Sequence, residues 1–341
     1  MNEKKISGGK FMMFKATSAL VLSTLLSSTL LAAEAPRIKA LDRMMYTINP
    51  EIAVSGPVFR DQSDAATKSK YATELVKILL KESHLKAQKY LEAGDTQAYY
   101  AFLTLGLTVP LQEGLYIQYR NVEGTDICKA EANSGDLVAK TGETNTTYFK
   151  QYFKNPERVF FPNCEDIKTN NVTQIIRGGD GTDLSVMQVS IRWHFADFLA
   201  NKKYESVEQT VNYGLGHLIA GFNPVYRNIG DYKCIAESGG GLFKKKKVSY
   251  INLIRGIWAG QYNSGSISKT CRFADSSSPY KHHDKGFEKN LNKILDFNGV
   301  LSVDMIGNFK LDENVAKAVM EVTRNLKENK NDRTALDALL K

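Results

Sequence analysis

Several kinds of signal are missing from this chain. No CxxC and no His-x-x-x-His spacing occurs, which disfavours a zinc site. None of the five histidines, His84, His194, His217, His282 and His283, pairs with a serine or cysteine in a recognisable nucleophile motif. No motif for binding DNA or RNA is visible, and there is no internal repeat or sustained strand alternation. Long hydrophobic runs are absent as well. The N-terminal apolar and small-residue stretch, 19–31, is about 13 residues, too short to span a bilayer comfortably. No cofactor or metal is implied.

What is present bounds the class. The 341 residues are 43% hydrophobic and 24% charged, enough for one large or two medium domains with a sizeable core. The N-terminus reads as a targeting signal: Lys4, Lys5, Lys10 and Lys15 precede the apolar stretch, and Ala32, Ala33 and Ala35 follow it. Residues 1–33 are therefore expected to be a signal peptide, giving an exported protein, periplasmic or secreted, with no stable membrane insertion after cleavage. Removing four lysines and one glutamate with that segment lowers the formal charge from +8 to +5. A mildly basic chain suits a polyanionic neighbourhood such as a cell wall, and nothing argues for nucleic acid. The run Lys244-Lys245-Lys246-Lys247 reads as a solvated loop.

Four cysteines, Cys128, Cys164, Cys234 and Cys271, suggest two disulfides in an exported chain. Three pairings are open. Pairing sequence neighbours would close two loops, each stabilising by roughly 3–4 kcal/mol in the loop-entropy account.

Helical spacing dominates the pattern. Leu75, Ile78, Leu79, Leu85 and Leu91 predict a helix over 64–93, stopped by Gly94-Asp95. A second is expected over 96–107, with Pro110 interrupting or restarting it. Residues 121–180 read as an irregular insertion pinned by disulfide, and 185–201 and 206–221 as helices. Residues 224–249 read as a loop. Further helices are expected over 250–259, 285–297, 312–328 and 333–341. The fold class is thus mainly α, α+β at most.

One carboxyl stands in apolar company. Glu113 is flanked by Val109, Leu111, Leu115 and Tyr116, and Gly114 beside it permits close approach. Burial of that kind raises a carboxyl pKa, which a proton donor to a glycosidic oxygen needs near neutral pH. Two polar-tipped segments follow: Ser185-Val186-Met187-Gln188-Val189, with Arg192 and His194 after it, and Gln261-Tyr262-Asn263-Ser264-Gly265.

In that order, these segments make the chain resemble the lytic transglycosylases and goose-type lysozymes, which cleave peptidoglycan. Their pattern is a helix-borne Glu-Ser, then Gly-Leu-Met-Gln, then Ala-Tyr-Asn-x-Gly. Here Gly114 stands for the Ser and Ser185 for the Gly. The resemblance covers roughly residues 95–270. It implies a lysozyme-like helical domain over 34–275, with 121–180 inserted, and a C-terminal helical extension over 276–341. It implies Glu113 as general acid and then base. Gln188 and Tyr262 would bond sugar and carboxylate groups, Met187 would pack under the sugar, and Ser185, Asn263 and Gly265 would shape the site. The partner would be a peptidoglycan glycan strand.

The activity implied is a lytic transglycosylase, with a hydrolytic lysozyme second and a non-catalytic wall-binding or scaffold protein as the competing class. Glu82, in a literal Glu-Ser pair but among lysines at 77, 81, 86 and 89, is a rival acid. Asp180 and Asp183 are candidate second carboxylates, Asp180 more readily a turn residue. Trp193, Trp258 and the tyrosines are able to stack on sugars, though core packing is the default for a helix-borne tryptophan.

Overall fold

The computed structural model describes residues 65–122, 172–176, 183–194, 197–198, 201, 203–237, 247–304 and 306–341. The expected signal peptide, the interior of the insertion, Cys128, Cys164, Asp180 and Lys244–Lys246 lie outside them. Helices account for 69% of the described residues, so the protein is mainly α. Among those residues no helix is long and apolar enough to cross a membrane.

Two long helices open the fold. α1 (Ala65–Glu92) buries Tyr71, Leu75, Val76, Leu79 and Leu80. Leu85, expected on that face, is instead exposed. α2 (Thr96–Gly114) starts at Asp95, whose carboxylate accepts the Ala98 N–H at 3.2 Å and satisfies one free donor of the first turn. Contrary to the sequence expectation, α2 runs through Pro110 without a break. Every residue from Ala98 to Leu111 is buried, and this packing outweighs the missing hydrogen bond. α2 is the central helix, packed on by α1 and by most later helices.

Short strands, which periodicity did not predict, bracket the irregular segments. β1 (Tyr119–Val122) pairs antiparallel with β2 (Val172–Ile175), Tyr119 opposite Ile175 and Val122 opposite Val172. The chain thus leaves for residues 123–171 and returns at one place. β3 (Asp183–Leu184) and β4 (Val189–Ser190) form a hairpin where helix was expected, and α3 (Ile191–His194) follows. α4 (Val207–Arg227), capped by Ser206 on the Gln209 N–H, runs six residues beyond the expected 221 and shortens the loop. β5 (Ala236–Glu237) pairs with β6 (Lys247–Val248).

α5 (Tyr250–Ile257) continues into one π-helical stretch, Trp258–Tyr262. The Cys234–Cys271 disulfide ties the entry of this region to its exit, Cα to Cα 5.6 Å. α6 (Lys281–Leu295), the hairpin β7 (Val300–Val303) with β8 (Gly307–Lys310), α7 (Glu313–Glu328) and α8 (Thr334–Leu340) complete the chain. Their apolar faces join the core built on α2: Phe287, Leu291, Phe309 and Val322 belong to the same buried cluster as Phe102 and Leu105.

Candidate active site

Glu113 occupies the last turn of α2, which ends in a left-handed cap at Leu115 (φ 50°). Gly114 is required there by close approach. A Cβ on it would lie 2.5 Å from the Val186 carbonyl oxygen and 2.6 Å from the Val186 Cα. The β3–β4 turn is thereby seated on the end of the acid-bearing helix. Buried Gln118 holds it in place: its side-chain oxygen accepts the Val186 N–H at 3.0 Å, while its amide donates to the Tyr204 carbonyl at 3.0 Å.

Residues 185–188 form the tight turn of that hairpin. Ser185 (φ 74°) and Gln188 (φ 47°) both take left-handed backbone, and the Ser185 carbonyl accepts both the Gln188 main-chain N–H at 2.9 Å and its side-chain amide at 2.6 Å. The turn decides which side chains face outward. Met187 points into the core against Gly214 of α4, where a Cβ would fall within 2.6 Å of its Cε. The Met187 carbonyl faces the other way and accepts the hydroxyl of Tyr262. The second and third motif segments are thus joined by a hydrogen bond.

A cleft of about 550 Å³ opens between these parts. Glu113 and Asp183 contribute two carboxylates. Gln188, Ser190, Trp193 and His194 come from the hairpin and α3; Gln261, Tyr262 and Asn263 come from the π-helical stretch and its end. Glu113 keeps some solvent access through this cleft, yet its surroundings are apolar enough for desolvation to dominate its titration. Its pKa is raised to about 7, first by burial and in smaller part by the negative charge of Asp183, against the opposing effect of Trp258, whose indole N–H donates to Oε1 at 2.5 Å. The Tyr262 hydroxyl is driven well above its ordinary pKa by burial and then by the charges of Glu113 and Asp183, so it stays a donor.

His194 and His217 stand together on the cleft wall, ring centroids 4.1 Å apart, with His194 Nδ1 3.1 Å from the Tyr213 hydroxyl. Burial lowers both pKa values, His194 to about 4, so the pair is uncharged at neutral pH. Trp193, by contrast, is 67% exposed and offers an aromatic face at the cleft.

Of the residues singled out by sequence, Glu113, Gln188, Tyr262, Asn263 and Gly265 line one cleft. Ser185 and Met187 do not: both are fully buried, Ser185 inside the turn and Met187 in the core. Glu82 is not in the cleft lining either. It is buried at the α1–α4 interface, where it accepts the Asn212 amide at 2.6 Å. Asp183 lines the cleft. The role of Trp258 was not read from sequence, because a buried tryptophan on a helix reads as core. It is core, stacked on Phe287 at 4.5 Å, and it also holds the acid. Its place one helical turn before Tyr262 was the available signal.

Among the described residues no group of three or more His, Cys, Asp or Glu side chains is placed to hold a metal ion. No protein-family model matches this chain, and no curated protein or solved structure matches it either.

Proposed function

We propose that this protein is an exported enzyme with a lysozyme-like fold that cleaves the MurNAc–GlcNAc β-1,4 bond of peptidoglycan glycan strands, with Glu113 as its single general acid and base, acting as a lytic transglycosylase. The observation that supports this most is one carboxyl, held near neutrality by burial, facing a cleft it shares with Gln188 and Tyr262. A carboxyl titrating at about 7 is protonated in a large fraction of molecules at neutral pH and is also a competent base once it has given up its proton. The disulfide Cys234–Cys271 is compatible with an oxidising compartment.

In this reading Glu113 gives its proton to the glycosidic oxygen as the bond from that oxygen to C1 of the muramoyl sugar breaks, leaving positive charge at the ring. The Glu113 carboxylate then takes the proton of the muramoyl 6-hydroxyl, whose oxygen bonds to C1. The products are a 1,6-anhydro end and a free 4-hydroxyl, and Glu113 is protonated again. Asp183 provides negative charge in the same cleft, suited to the cationic transition state. Gln188 and Asn263 offer amides for sugar hydroxyl and acetamido groups, and Trp193 offers a stacking face.

Asp183 also supports a second reading. A second carboxylate in the cleft is able to activate water, which would make the enzyme a hydrolytic muramidase. Digestion of purified sacculi, with the product ends identified by mass, separates the readings. Anhydro ends support the transglycosylase and reducing ends the hydrolase. No products, with Glu113→Gln indistinguishable from the unaltered protein, would leave a wall-binding protein instead.

A further inference from the structure

We propose that Phe287 and Asp284, both on α6, are positioning residues for Glu113 and act on it through Trp258. α6 lies beyond the part of the chain that resembles a peptidoglycan-cleaving enzyme, yet it supplies the surroundings of the group that holds the acid. An indole has a single N–H, so where that hydrogen points depends on the setting of the ring. The Phe287 ring lies nearly parallel to the Trp258 ring, 7° between planes and 4.5 Å between centroids, and both side chains are fully buried. Rotation of the indole away from Glu113 would break this face-to-face contact.

A second contact comes through Arg272. Its guanidinium lies 5.7 Å from the Trp258 ring and is fixed by two hydrogen bonds to Asp284, at 2.7 and 3.2 Å. Arg272 and Asp284 are both buried, so neither charge is free to move into water. The same guanidinium donates to Ser264 Oγ at 2.5 Å, on the cleft lining. A third contact reaches the acid's own helix: Asn290 of α6 donates to Gln112 Oε1 at 2.8 Å, next to Glu113 in sequence. α6 therefore steadies both the donor and the turn carrying the acceptor. A donor held in register this way stabilises the ionised acid and limits how far burial raises its pKa.

The functional weight of this inference rests on Glu113 being the acid, but its test does not depend on turnover. Carbon-13 NMR titration of Glu113, its signal identified by loss in Glu113→Gln, is measured in the full-length protein, in Trp258→Phe, in Phe287→Leu and in the double variant. Trp258→Phe removes the donor and should raise the midpoint by about one pH unit. Phe287→Leu should move it in the same direction, and adding it to Trp258→Phe should change nothing more. If Phe287→Leu leaves the midpoint unchanged, or shifts it equally in both backgrounds, the inference is overturned. Asp284→Asn is read the same way, as is Phe287→Met should Phe287→Leu not fold, and an unmoved midpoint in either overturns the inference as well. Inert sacculi with a coupled titration would reject the proposed function alone. Digested sacculi with an uncoupled titration would reject this inference alone.

Discussion

Replacing Glu113 by glutamine should remove turnover and yet stabilise the protein above neutral pH. The carboxyl titrates at about 7 in the folded chain against an ordinary 4.5. The folded state thus binds this proton more tightly than the unfolded state. Its contribution to stability is fully present below the unfolded pKa and is lost as pH rises through the folded one. At about 1.36 kcal/mol per unit, the ionised form costs the fold about 3 kcal/mol above neutrality. Solvent access through the cleft screens part of this. Glutamine also keeps a carbonyl for the Trp258 N–H, but a neutral acceptor is weaker than a charged one. A net gain of about 1–3 kcal/mol at pH 8 remains, shrinking toward zero by pH 5. Urea denaturation of both proteins at the two pH values reads it directly. Equal pH dependence in the two proteins, or a variant less stable at pH 8, would mean that Glu113 titrates normally, and the argument for it as the acid would fail.

Other substitutions test other parts. Gly114→Ser restores the residue the resembling enzymes carry, but its Cβ would meet the Val186 backbone at 2.5 Å, so a loss of about 1–3 kcal/mol in urea stability is expected, with lower activity. Trp193→Ala removes an exposed face and should raise KM for glycan by about 3- to 10-fold with little change in kcat or stability. Replacing Cys234 and Cys271 together by serine opens a link spanning 37 residues and should cost about 4 kcal/mol, seen as a lower urea midpoint.

The long helices were legible because their buried residues recur at helical spacing and their ends carry turn or capping residues, as at Gly94-Asp95. Pro110 misled because local rules price one missing hydrogen bond and not the packing of a helix buried all round. The β3–β4 hairpin was hidden because its formation depends on Gln118, far off in sequence, and on left-handed backbone at two non-glycine residues. The same turn explains the mixed outcome for the Ser-Val-Met-Gln segment. Sequence marks the segment as polar-tipped, but only the turn turns Gln188 to the cleft and sends Ser185 and Met187 inward. Burial of Glu113 was expected from its neighbours. The indole that holds it, and the α6 aromatic beneath that indole, are long-range contacts that no local pattern encodes.

The most direct test of Glu113 as the acid of glycan cleavage is the pH–rate profile of sacculus digestion, run beside Glu113→Gln. With Glu113 as the acid, the rate falls as pH rises through about 7, where the carboxyl loses its proton, with anhydro ends among the products and no turnover in the variant. A rate insensitive to pH across that window, or products released equally by Glu113→Gln, would contradict it.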